Sequence, residues 1–106
     1  MNKPTRFYSK RQENKVAKSL NGKRVANSGA TAFNKGDVIL DDWLIECKTK
    51  TKESDSFTIK REWIEKNKEE AFAMRKANSA LVIDFGDGEQ YYLIDEKTFL
   101  TYLQKE

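Results

Sequence analysis

Two apolar runs separated by a pair of aspartates constrain the fold of this chain more than any other feature. Val38-Ile39-Leu40 and Trp43-Leu44-Ile45 flank Asp41-Asp42. Short β-branched and aromatic runs on either side of a two-residue polar break predict a β-hairpin. Its strands are expected at Asp37 to Leu40 and Trp43 to Lys48. With the aspartates at the turn, Leu40 faces Trp43, Ile39 faces Leu44, Val38 faces Ile45 and Asp37 faces Glu46. Directly opposed residues share a face, with Cβ atoms about 4.5–5.5 Å apart. Side chains alternate along a strand. Leu44, Glu46 and Lys48 therefore share one face, and Trp43, Ile45 and Cys47 turn to the other, into apolar packing.

The remaining pattern places elements around this hairpin. A first helix is expected at Lys10 to Leu20, with Val16, Ala17 and Leu20 inward and Asn21-Gly22 as its stop. A loop of small residues follows at Ala26 to Thr31. Phe57 to Ile59 reads as a strand stub or a helix entry. A second helix is expected at Lys60 to Ala77, with Trp63, Ile64, Ala71 and Met74 inward. Then come a strand at Ala80 to Phe85, a turn at Gly86-Asp87-Gly88-Glu89, a strand at Gln90 to Ile94, and a helix at Glu96 to Gln104 with Phe99, Leu100 and Leu103 inward. This order predicts an α/β domain with a mixed central β-sheet of about five strands flanked by helices. The 106 residues form one domain on length alone, with residues 1–9 expected as a flexible basic arm.

Composition excludes several chemistries. There is no histidine, which removes Ser-His and Cys-His nucleophile pairs and makes zinc a poor candidate. The single cysteine rules out an internal disulfide and suggests a reducing, cytoplasmic setting. No apolar run approaches the ~20 residues that span a bilayer, so no membrane partner is expected, and the polar N-terminus does not read as a signal peptide. The net charge of +3 is unevenly spread: residues 1–35 hold nine Lys or Arg and one acid, Glu13. That segment suits a nucleic-acid partner, and equally a solvated surface.

Two carboxylates facing each other across a hairpin repel and destabilise it. A divalent cation removes the objection, because Mg²⁺ takes one or two carboxylates and completes its shell with water and phosphate oxygens. Asp37 and Glu46 are the candidate metal ligands, with Lys48 placed to touch a phosphate or the attacking water. Glu13, Val16, Ala17 and Leu20 fall on one helical face, so Glu13 is either a boundary residue at the solvent edge or a third member of the acidic cluster. Cys47 belongs to the core face, although its backbone carbonyl, or that of Ile45, could complete the metal shell. Trp63 suits core packing or a subunit interface better than base stacking.

Asn27-Ser28-Gly29-Ala30, Gly36-Asp37-Val38 and Trp43-Leu44-Ile45-Glu46-Cys47-Lys48, with Glu13 upstream on a helix, resemble the PD-(D/E)XK nuclease superfamily. The match is closest to its small Holliday-junction-resolvase branch, known in archaea and phages. Gly36 stands where the motif name has Pro, a position that varies. The resemblance implies a restriction-endonuclease-like core, Mg²⁺ or Mn²⁺ dependence, phosphodiester hydrolysis in branched DNA such as a four-way junction, and commonly a homodimer. It implies a catalytic set of Asp37, Glu46, Lys48 and Glu13, and DNA contacts by Arg24, Ser28 and Lys35; the basic first third adds Lys10 and Arg11. The other readings are a nicking or restriction-type nuclease on duplex DNA and a DNA-binding module without catalysis.

Overall fold

The computed structural model describes residues 5–24 and 37–104. Ser28, Lys35 and Gly36 lie outside the described residues. The elements are α1 (Thr5–Leu20), β1 (Lys23–Arg24), β2 (Asp37–Ile39), β3 (Trp43–Thr49), α2 (Arg61–Ala73), β4 (Asn78–Asp84), β5 (Gln90–Leu93) and α3 (Glu96–Leu103). They form an α/β fold with one five-stranded mixed sheet in the order β1-β2-β3-β4-β5. Among the described strands only β3 and β4 pair in parallel; the other three pairings are antiparallel.

The hairpin of β2 and β3 has the expected register: Asp37 opposite Glu46, Val38 opposite Ile45, Ile39 opposite Leu44. Leu40 N–H donates to the Trp43 carbonyl at 3.0 Å and closes the Asp41-Asp42 turn. Alternation then divides the sheet into two faces. Val38, Ile45, Ala80 and Val82 pack with Val16 of α1, with Trp43, Cys47, Ala17 and Leu20 against them. The opposite face carries Leu44, Leu81 and Ile83, all buried, beneath α2, which packs on β3 and β4. Asn67 of α2 anchors the helix by donating to the Ala80 carbonyl at 3.0 Å.

Several boundaries move, each for a local reason. Helix α1 begins at Thr5, so residues 5–9, expected as an arm, continue the helix; residues 1–4 lie outside the described set. Its stop is the expected one: Asn21 adopts a left-handed φ of 56° and Gly22 N–H returns to the Ala17 carbonyl at 2.8 Å. Helix α2 ends at Ala73, four residues before the expected Ala77, because Arg75 takes the left-handed role (φ 60°) without being Gly or Asn. Lys76 N–H then returns to the Ala71 carbonyl at 2.8 Å, and β4 starts early, with Asn78 N–H donating to the Asp42 carbonyl at 2.8 Å. The two-residue strand β1 was not anticipated.

The one substantive correction concerns α3. Phe99, Leu100 and Leu103 were expected inward, yet they are 52%, 39% and 64% exposed, and α3 buries no residue. The helix is tethered at its ends instead. Asp95 caps it by accepting from Thr98 N–H at 2.8 Å and pairs with Lys68 at 2.8 Å. Tyr102 packs on the Trp43 ring at 5.7 Å between centroids and accepts from Asn78 at 3.0 Å. These contacts turn the apolar stripe outward.

The turn between β4 and β5 holds the loop that follows β3. Gly86 has φ +102°, and a Cβ there would come within 2.7–2.8 Å of backbone atoms of Lys52 and Glu53. Neither strain nor overlap can be relieved by a rotamer. Gly86→Ala is expected to destabilise the protein by about 2 kcal/mol or more, read as a lower urea midpoint with an unchanged m-value.

Candidate active site

Register decides which side chains meet. Asp37 opens β2 and Glu46 sits opposite it in β3, both on the face that α2 covers. Asp37 is 0% and Glu46 5% exposed. Both oxygens of Asp37 and Oε1 of Glu46 are buried and accept no hydrogen bond from the described residues. The remaining Glu46 oxygen, Oε2, pairs with Lys48 Nζ at 3.1 Å. Lys48 shares the face two residues on, and its ammonium also lies 4.4 Å from the centre of the Trp63 ring. Trp63 therefore acts as a platform for Lys48, a role that its place on the inward helical stripe did not reveal.

Burial is the main reason the Asp37 carboxyl is pushed up to about 8, and the neighbouring charges of Glu46, Glu70 and Glu13 push the same way against the opposing pull of Lys48. A carboxyl so placed holds its proton until a cation replaces it. Cys47 sits between Glu46 and Lys48 in β3, but its side chain packs with the α1-side core. Burial, followed by the charges of Glu13, Asp37 and Glu46, raises its thiol above the ordinary range, which disfavours the thiolate form.

Glu13 is 1% exposed, buried rather than at a solvent edge. Its Oε1 accepts from Arg24 Nε at 3.3 Å, which ties α1 to β1 and holds Arg24, expected at phosphates, against a carboxylate. Glu13 is near enough for its charge to act on Asp37. Its neighbour Gln12 is buried too, and donates to the Lys48 carbonyl at 2.9 Å and the Val82 carbonyl at 3.2 Å. Lys10 and Arg11 are exposed on α1, and the Arg11 guanidinium lies over the Phe7 and Tyr8 rings at 5.8 and 5.5 Å.

The sequence reading missed one acid. Glu70 of α2 is 9% exposed, and its buried Oε1 accepts no hydrogen bond from the described residues. The signal was present: Trp63, Asn67, Glu70 and Ala71 fall at i, i+4, i+7 and i+8, so two polar residues occupy the inward stripe.

The donor set suits a hard divalent cation: two facing carboxylates with open oxygens, and no histidine or accessible thiolate. Among the described residues no three His, Cys, Asp or Glu side chains come together closely enough to hold a metal directly. Direct protein ligation would rest on Asp37 and Glu46, and one or two carboxylates completed by water and phosphate oxygens are what Mg²⁺ ordinarily uses. Among the described residues no helix is long and apolar enough to cross a membrane. Comparison with models of known families, with curated proteins and with solved structures gives no match.

Proposed function

We propose that this chain is a Mg²⁺- or Mn²⁺-dependent DNA endonuclease with a restriction-endonuclease-like core, selective for branched DNA in the manner of the Holliday-junction resolvases it resembles. One observation carries the reading. Asp37 and Glu46 face each other across a hairpin, buried and with three oxygens unused, and Lys48 stands beside them on the same face. A hairpin selected for stability alone would not bury that repulsion. When bound, the ion would activate water and offset charge on the phosphoryl group.

The chain's own residues do the rest. Asp37, once deprotonated, would hold the ion together with Glu46. Lys48, released from Glu46, would turn its ammonium to the scissile phosphate or orient the water, with the Trp63 ring beneath it. Glu13 fixes Arg24 at the rim. Lys10 and Arg11 offer exposed charge to the DNA backbone, so binding weakens steeply with salt. A second copy suits a substrate with two equivalent strands to cut. The outward apolar stripe of Phe99, Leu100 and Leu103 supports such a homodimer.

The deciding experiment is incubation of the purified chain with a labelled four-way junction, with Mg²⁺ and with EDTA. Paired, Mg²⁺-dependent cuts near the branch are expected. Equal cleavage of linear duplex would leave a nuclease without junction selectivity, and junction binding without cleavage would favour the non-catalytic module.

A further inference from the structure

Glu70 is a carboxylate in a place that folding alone does not favour. Helix α2 crosses from β3 to the parallel β4, so it runs antiparallel to both. Trp63 meets Lys48 near the start of the helix. Two turns further on, Glu70 lies on the same inward stripe, within electrostatic reach of Glu46. Nine-tenths of it is buried. Its Oε1 is enclosed without a donor, as are both oxygens of Asp37 and Oε1 of Glu46. Its proximity is also felt electrostatically: burial raises the Glu70 carboxyl most, with exposed Lys66 opposing and Glu46 and Glu69 adding, and Glu70 in turn raises Asp37. A leucine or glutamine at this inward position would avoid the cost of enclosing a carboxylate oxygen without a donor.

We propose that Glu70 is a third carboxylate of the cation site, acting through water: it accepts hydrogen bonds from the hydration shell of a divalent ion held by Asp37 and Glu46. This rests on the reading of that pair as ligands. Direct coordination by all three is not the geometry found. Mg²⁺ and Mn²⁺ keep several waters when bound by one or two carboxylates. Those waters are strong donors, and a buried acceptor facing them fixes their orientation and adds to affinity. With Asp37, Glu46 and Glu70 ionised against Lys48, the local charge is two negative, which one divalent ion balances.

The test is Mn²⁺ binding to the full chain by calorimetry, with no DNA present, comparing wild type with E70Q, E70D, E69Q and D37N. Wild type is expected to bind Mn²⁺, and D37N to lose binding. E70Q is expected to weaken it about 10–100-fold. E70D, which keeps the charge but withdraws it by one methylene, is expected to weaken it as well. E69Q removes the same charge from an exposed neighbour and is expected to change little. Wild-type affinity in E70Q alongside lost binding in D37N would overturn the role of Glu70 and leave the Asp37–Glu46 site standing. An equal loss in E69Q would reduce the effect to bulk charge and overturn it too. A wild-type chain that binds no Mn²⁺ would sink both readings.

Discussion

Asp37→Asn is expected to abolish cleavage, retain junction binding, and make the metal-free protein more stable at pH 8 by about 2–4 kcal/mol. The stability gain follows from the sign of the linkage. Burial, then the charges of Glu46, Glu70 and Glu13, push the Asp37 carboxyl up to about 8 in the folded protein, against ~3.9 in the unfolded chain. Between these values the folded state holds a proton that the unfolded state has released, so stability falls as pH rises. The contribution of the neutral carboxyl is complete below about pH 4 and is lost as pH passes through 8. Asn carries no such charge, and its amide can donate to the open Oε1 of Glu46. Urea melts in EDTA should therefore show the variant and wild type converging near pH 4 and diverging towards pH 8. For a domain of this length the gap corresponds to roughly 10 °C or more in Tm. Wild-type stability with the same pH profile as the variant would mean that Asp37 is not in a desolvated, like-charged setting. Retained cleavage in the variant would remove Asp37 from the chemistry.

The hairpin was legible because its signal is local. Two apolar runs around Asp41-Asp42 leave one register that keeps Val38 and Ile45 on a common face, and that register brings Asp37 to Glu46. Helical spacing from Val16 put Glu13 on the core-facing stripe, where it is buried, but left open whether it lay at the solvent edge. What escaped was set by other segments. Glu70 matters because α2 crosses over the Glu46 face, and Trp63 because the crossover lays its ring under Lys48; neither juxtaposition is encoded near those residues. Helix α2 stopped early on Arg75, since a left-handed residue that is neither Gly nor Asn leaves no mark in the sequence. The outward turn of Phe99, Leu100 and Leu103 was misread for a related reason. Periodicity identifies an apolar stripe but not whether this chain supplies the surface that covers it.

Lys48→Met is expected to move two measurements in opposite directions, and that opposition separates a catalytic lysine from a structural one. In the metal-free protein the Lys48 ammonium, 3.1 Å from Glu46 Oε2, occupies the charge that a cation would satisfy. Removing it eliminates a competitor, so Mn²⁺ should bind about tenfold more tightly, a change of ~1.4 kcal/mol. Met retains an unbranched chain and a sulfur that packs well against the Trp63 ring, which keeps the platform filled. Glu46 loses its partner without the ion, so metal-free stability should drop by about 1–3 kcal/mol and recover when Mn²⁺ is added. Junction cleavage should nevertheless fall by roughly 10²–10³-fold, the usual cost of losing one fixed positive or donor group aimed at charge that develops in the transition state. A variant that binds Mn²⁺ more tightly yet cleaves poorly has lost a group that acts on the phosphate or the water. If cleavage persists while affinity rises, Lys48 is only the counter-ion of Glu46, and the charge at the phosphate must come from another residue.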